Sequence, residues 1–246
     1  MVERAIKPDC RFLMAMRLHY FQHVEYSGRA FIPEWAAANN HDLIRVMVPQ
    51  ADALPGAGDI DALIIVSGPM SIWEMQQHPW LAAEKKRLAE LLDQDTPVLG
   101  ICLGAQLMAE HLGAKVKACN HLKIGWYLIE LNNKLNTTCL RNVLPERFES
   151  FFWHGDFFEL PTDAVPVSRG CADACQGFVW RRSIALQFHL EVTPQWARHL
   201  VTRDADQLKP APSVQGAETI LTKPDELYRR NNVLMSSLLG RWLGQG

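Results

Sequence analysis

The run Val98-Leu99-Gly100-Ile101-Cys102-Leu103-Gly104-Ala105-Gln106-Leu107-Met108 restricts the possible folds more than any other stretch. An apolar, strand-like segment passes through Gly-x-Cys-x-Gly directly into helix-forming residues, which demands a tight strand-to-helix turn with a thiol at its apex. Glycines on both sides of Cys102 remove side chains that would clash at such a bend, and they relieve an awkward backbone conformation at the cysteine. A helix starting near Leu103 aims its unpaired N–H groups and positive dipole end at the sulfur, which favours thiolate over thiol. Cysteine is also a common buried hydrophobe, so the turn alone leaves a core reading open beside the nucleophile reading.

The segments before this turn alternate between strand and helix. Residues 11–19 read as a buried first strand, residues 30–40 as a helix ending in Asn39-Asn40, and residues 43–48 as a second strand. A third strand, residues 61–66, runs into the loop Ser67-Gly68-Pro69-Met70-Ser71. Residues 80–94 form a charged helix with Leu81, Leu88, Leu91 and Leu92 on one stripe, and Thr96-Pro97 hands over to the Cys102 strand. This alternation implies an α/β fold, a mostly parallel central sheet flanked by helices, with ligands at the carboxyl ends of the strands. After a helix over residues 103–112 the pattern changes to short strand-like segments at 115–118, 126–131, 151–153, 166–168, 176–180 and 184–188, which suggests a mixed sheet or a β-rich lobe. Helices at 194–203 and 224–243 follow, separated by the linker Lys209-Pro210-Ala211-Pro212-Ser213. Leu227, Leu234, Leu238 and Trp242 make an apolar stripe on the last helix, to be packed against the sheet. One domain over residues 1–246 is expected, with residues 204–246 a helical extension packed on it.

A thiol nucleophile needs a base and a group that orients the base. Within Ala185-Leu186-Gln187-Phe188-His189-Leu190-Glu191, the i, i+2 spacing sends His189 and Glu191 off a strand end on the same side, where the carboxylate can fix the imidazole tautomer. An isolated His-x-Glu can equally be a local structural pair. Attack on a carbonyl also requires donors for the developing oxyanion. The Leu103 N–H, next to the thiol, is one donor; Gly68, whose backbone can approach a ligand closely, is the other.

Several functional classes lack support. A net charge of -2 with 21% charged residues gives no electrostatic case for nucleic acid or an acidic membrane surface. The opening residues carry no apolar signal region and no apolar run approaches the ~20 residues needed to span a bilayer, so a cytoplasmic location is expected. The six cysteines, Cys10, Cys102, Cys119, Cys139, Cys171 and Cys175, read as reduced thiols. His19 and His23 have i, i+4 spacing, but they straddle a strand end, and Cys171-x-x-x-Cys175 is short of ligands, so no metal is expected. Neither phosphate-loop nor dinucleotide fingerprint occurs, so no cofactor is expected.

Gly100-Ile101-Cys102-Leu103-Gly104-Ala105-Gln106 together with Phe188-His189-Leu190-Glu191 resembles the class I, triad-type glutamine amidotransferases, and in particular the glutaminase domain of GMP synthase and its stand-alone relatives. The likeness extends to Ser67-Gly68-Pro69-Met70-Ser71, Lys123-Ile124-Gly125-Trp126 and Trp153-His154-Gly155-Asp156. It implies a flavodoxin-like α/β fold and hydrolysis of a γ-glutamyl amide through a glutamyl thioester, with Cys102 as nucleophile, His189 as acid and base, and Glu191 orienting His189. It also implies oxyanion donors at the backbone of Gly68 and Leu103, and substrate contacts at Gln106, Trp153, His154 and Gly155, with His154 not catalytic. The family usually has Gly-Gly-Pro where this chain has Ser67-Gly68-Pro69, which bears on loop geometry. Because no synthetase domain follows residue 200, the expected partners are a small-molecule substrate and a separate acceptor subunit. A γ-glutamyl hydrolase with a larger leaving group, and a non-catalytic regulatory protein retaining the fold, are the alternatives.

Overall fold

The computed structural model describes residues 16–170 and 175–244. Strands β1 (Leu18–Gln22), β2 (Leu43–Met47), β3 (Ala62–Ile65) and β4 (Val98–Ile101) run parallel, with helices α1 (Phe31–Ala38) and α2 (Trp80–Asp93) in the crossovers. Helix α3 (Leu103–His111) follows β4 after one residue. Two long strands, β5 (Val116–Glu130) and β6 (Arg147–Phe158), then pair antiparallel as a separate ribbon. The chain returns to the main sheet through β7 (Val165–Pro166), β8 (Gly177–Trp180) and β9 (Ser183–Leu186). The seven-stranded order is β2-β1-β3-β4-β9-β8-β7: β9 lies parallel to β4, while β8 and β7 are antiparallel additions at the edge. Helices α4 (Pro194–Arg203), α5 (Ala217–Leu221) and α6 (Asp225–Trp242) complete the chain. No helix among the described residues is long and apolar enough to cross a membrane.

The central strands β3 and β4 are apolar throughout because both faces of the sheet are covered there, whereas β1 carries His19 and Gln22 and the edge strand β2 an exposed Arg45. Period-two alternation sends Leu18, Tyr20, Ile64, Leu99, Ile101, Ile184 and Leu186 into one core with α1 and α6. Phe21, Leu63, Ile65, Val98 and Ala185 point the other way, against α2 and α3. The stripe read on α2 is fully buried there: Leu81, Leu88, Leu91 and Leu92 are each at most 1% exposed. A third cluster joins the ribbon to α4, α5 and α6 through Trp126, Phe151, Trp196, Ile220 and Tyr228.

Several boundaries differ from the sequence reading. Residues 11–15 of the expected first strand lie outside the described residues, and the strand seen is Leu18–Gln22. The separate segments 115–118 and 126–131 are parts of one 15-residue strand, interrupted by a register shift between Ala118 and Lys123. The mixed sheet and the β-rich lobe are both present, as the antiparallel edge and the ribbon. On α6 the buried face is Tyr228, Asn231, Met235, Leu238, Leu239 and Trp242, so the stripe of Leu227, Leu234, Leu238 and Trp242 is displaced towards its C-terminal half. Helix α5, too short for a periodic signal, was not anticipated.

The order β2-β1-β3 reverses direction across β1, which leaves a crevice beyond the carboxyl ends of β1 and β3. Residues following β1, β3, β4 and β9 all converge on that end.

Candidate active site

Cys102 sits between β4 and α3 with φ 53° and ψ −101°, a conformation that non-glycine residues rarely adopt. Its N–H donates to the Leu186 carbonyl at 2.8 Å, so the turn is clamped to the neighbouring strand. The flanking glycines do not carry the left-handed conformation; the cysteine does. Their contribution is space: a Cβ on Gly100 would lie 2.6 Å from the Gly104 carbonyl oxygen, and one on Gly104 would lie 2.9 Å from Ile65 Cβ. Two glycines thus let α3 lie directly on β3 and β4, with its first turn at the thiol.

Because β4 and β9 are adjacent and parallel, with Gly100 opposite Ala185, the chain leaving β9 emerges beside the Cys102 turn. Strand β9 ends at Leu186, and His189 is held beyond it by a bridge to β6, its N–H bonded to the Phe151 carbonyl at 2.8 Å. His189 Nδ1 lies 2.7 Å from Glu191 Oε1, with both side chains at most 2% exposed, and His189 lines the same cleft as Cys102. Burial pulls the His189 pKa down, but the Glu191 carboxylate and Cys102 outweigh it and push it up to about 10. The protonated imidazole is therefore stabilised between a carboxylate and a sulfur. Glu191 Oε2 is buried without a protein partner among the described residues.

The cleft beside Cys102 has a volume of about 420 Å3. Gly68, Leu103, Gln106, Trp153, His154 and Gly155 all line it, along with Cys102 and His189. Glu191 stands behind His189 and does not reach the cleft wall. The Gly68 and Leu103 N–H groups meet no protein acceptor among the described residues and remain available as donors. A Cβ at Gly68 would press on His23 Cβ and Leu103 Cδ2 at 3.2 Å and collide with Met70 Sδ, so the loop packs closely around a missing side chain.

Gln106 donates its amide to the Asp156 carbonyl at 3.2 Å and to Gln187 Oε1 at 3.4 Å. The Trp153 indole donates to Gln207 Oε1 at 2.9 Å. His154 donates from Nδ1 to the Asp156 carbonyl at 2.9 Å; burial, aided by the Lys123 charge, pushes its pKa down to about 3 and keeps the ring neutral.

Other residues at the site escaped the sequence reading. Gln187, fully buried, donates to Cys102 Sγ at 3.6 Å; a polar residue inside the apolar run Leu186-Gln187-Phe188 was its signal. Asp156, whose carboxyl pKa is raised by burial, accepts from Ser71 Oγ at 2.7 Å. Tyr26, Arg203 and Asp204 also line the cleft, with the Arg203 guanidinium 4.2 Å above the Tyr26 ring. No local pattern marks them, because Tyr26 comes from a turn far from the end of α4 that carries Arg203 and Asp204. His19 and His23 do not form a shared ligand set: His19 Nδ1 faces the Arg17 carbonyl, and His23 pairs with Glu84. Cys102, Cys119 and Cys139 are free thiols, Cys175 Sγ donates to the Gly177 carbonyl at 3.1 Å, and Cys10 and Cys171 lie outside the described residues.

Comparison with known proteins follows the same geometry. Residues 37–206 match the profile of the glutamine amidotransferase class-I family. A Salmonella typhimurium protein, YfeJ, described as glutamine amidotransferase-like, is 28% identical over 243 residues, covering 94% of this chain and 97% of that protein. GMP synthase (glutamine-hydrolysing) of Geobacillus kaustophilus is 32% identical over 133 residues, which span 53% of this chain and only 24% of that protein. Among solved structures, a glutamine amidotransferase from Thermotoga maritima superposes with a TM-score of 0.83 at 28% identity, covering 94% of this chain and 99% of the other.

Proposed function

Since this chain belongs to the class I glutamine amidotransferase family, we propose that it hydrolyses the γ-glutamyl amide of glutamine through a thioester on Cys102, releasing ammonia. The observation that carries this reading is the buried His189–Glu191 pair, 2.7 Å apart, in the same cleft as a cysteine at the start of a helix. Cys102 Sγ attacks the γ-carbonyl carbon, and the thiol proton resides on His189. The oxyanion that forms is met by the N–H groups of Gly68 and Leu103, the latter reinforced by the positive end of α3. As the tetrahedral centre collapses, the C–N bond breaks and His189 gives its proton to the leaving nitrogen, leaving ammonia and the thioester. His189 then takes a proton from water, whose oxygen attacks the thioester carbonyl; glutamate leaves and the thiol is restored. Glu191 holds the imidazole throughout. Gln106, Trp153, His154 and Gly155 shape the part of the cleft that receives the glutamyl moiety. Ammonia would then pass to an acceptor-activating enzyme; in the GMP synthase relative the matched region is about a quarter of the protein.

A second reading rests on the cleft itself. About 420 Å3 falls within the range of sites for drug-sized ligands, and the cleft continues past the thiol to Tyr26, Arg203 and Asp204. That volume favours a γ-glutamyl conjugate with a leaving group larger than ammonia. Assays with free glutamine and with a γ-glutamyl dipeptide, for the wild type and Cys102→Ala, separate the two. Preference for glutamine supports the amidotransferase reading, preference for the dipeptide the hydrolase reading, and activity persisting in Cys102→Ala overturns both. If neither substrate is turned over and a glutamine-like diazoketone fails to label Cys102, the chain is not an enzyme of this class.

A further inference from the structure

Glu84 is a carboxylate in the middle of an apolar helix face. It lies on α2 between Leu81 and Leu88, and its side chain is 0% exposed. An unpaired charge there would cost several kcal/mol, so its partner defines its role. The partner is His23, also 0% exposed, whose Nε2 lies 2.9 and 3.0 Å from the two Glu84 oxygens. Burial alone would lower the His23 pKa, but the Glu84 carboxylate outweighs it and raises it, and both ring nitrogens face acceptors, as two donors would. The ring also stacks on Trp80, one turn before Glu84 on the same helix, with centroids 5.3 Å apart and planes inclined by 23°. Helix α2 therefore fixes both the plane and the edge of the imidazole.

The edge that remains, Nδ1, faces the Ser67 carbonyl oxygen at 3.5 Å, and Ser27 Oγ donates to the same oxygen at 3.3 Å. Ser67 and Gly68 share one peptide unit, and no peptide bond among the described residues is cis. In a trans peptide the C=O and the following N–H point in opposite directions. Drawing the Ser67 carbonyl back towards His23 and Ser27 therefore turns the Gly68 N–H the other way. Gly68 lines the cleft, and its N–H has no protein acceptor among the described residues.

We propose that the buried His23–Glu84 pair is a positioning device that locks the Ser67–Gly68 peptide with its N–H turned into the cleft, ready for the oxyanion. This inference rests on the function proposed above. A peptide following a glycine-containing loop can rotate at little cost, so a donor on its carbonyl decides how often the N–H faces the substrate. The pair ties the residue that follows β1 to α2, and so couples the packing of α2 to the geometry of the loop.

His23→Gln tests it, because the glutamine amide can still donate to Glu84 while nothing stands at the Nδ1 position. Two rates are compared in wild type and variant. One is turnover of whichever γ-glutamyl substrate the wild type prefers, which needs the oxyanion donor. The other is alkylation of Cys102 by iodoacetamide, followed by mass spectrometry of its peptide, a displacement at saturated carbon that develops no oxyanion. Complete loss of an oxyanion donor costs about 100- to 1,000-fold in kcat, so loosening one should lower kcat by at least about 10-fold. KM and the alkylation rate should stay within about 2-fold. An unchanged kcat, or a parallel fall in both rates, overturns the proposal and leaves the pair a simple staple between β1 and α2. Glu84→Gln, which keeps the shape of the pair but removes the charge that holds both His23 ring nitrogens as donors, decides the matter if His23→Gln does not fold: a lower kcat with intact alkylation supports the lock, and an unchanged kcat overturns it. A wild type inactive on every γ-glutamyl substrate, by contrast, overturns the parent reading.

Discussion

Gly104→Ala is the smallest change that should separate the thiol from its partners. A Cβ at this position would lie 2.9 Å from Ile65 Cβ and 3.0 Å from the Ile65 carbonyl carbon, and would collide with the Ile65 carbonyl oxygen. These are largely backbone atoms of a central strand, so no rotamer change relieves the contact. Helix α3 must instead move off β3 by up to about 1 Å to restore ordinary van der Waals separations. Overpacking of this kind costs about 1–3 kcal/mol. At about 2–4 °C per kcal/mol for a chain of this length, Tm should fall by roughly 2–12 °C. Since Cys102 caps α3, the thiol moves with the helix, and a displacement near 1 Å should lower kcat/KM by about 100-fold. Gly240→Ala is the control: nothing lies within 4 Å of a Cβ there, the residue is inside α6, and the change should raise stability by about 0.5–1 kcal/mol without altering turnover. Differential scanning fluorimetry and steady-state kinetics on both variants suffice. A Gly104→Ala protein with wild-type Tm and wild-type turnover would refute the idea that strand–helix contact distance sets the thiol position.

Two further expectations concern the base and the core. Glu191→Gln keeps the shape of the His189 partner but removes the larger of the two influences that oppose burial, so the imidazole pKa, about 10 in the wild type, should fall, with Cys102 alone left to hold it up. Because the folded-state value is raised, the stabilisation it provides is complete below pH 6.5 and is lost as pH rises through about 10; a Tm–pH profile of the variant should move that loss to lower pH, and an NMR titration showing His189 with an unchanged pKa would contradict the assignment. Leu238→Ala, in the fully buried face of α6, should cost about 2–5 kcal/mol by chemical denaturation, whereas Val233→Ala, 62% exposed on the same helix, should stay within about 0.5 kcal/mol; equal effects would mean that the last helix is not anchored through that face.

The parallel half of the sheet was legible because its strands are short and largely apolar, unbroken so in β3 and β4, and are followed by turn or helix signals that periodicity can register. Cys102, His189 and Gly68 stand at or just beyond the carboxyl ends of such strands, so reading the strands also located their neighbourhood. The ribbon was harder. Strand β5 is interrupted by an irregular stretch after Ala118, and its two halves read as separate short strands. Arg203 and Asp204 end an amphipathic helix and look like solvated surface until Tyr26, from far away in the chain, is placed opposite them. Glu84 is the instructive omission. Its spacing, three residues after Leu81 and four before Leu88, places it on the buried stripe, but a charged residue among many on α2 attracts no notice without knowledge of His23.

Cys102, His189 and Gly68 are placed by the central sheet, whose inner strands are packed on both faces. Tyr26 and Arg203, which line the same cleft, belong instead to a connecting turn and a helix end. Under the proposed function, substitutions at these two positions retune which leaving group fits while the strands that hold the thiol stay undisturbed.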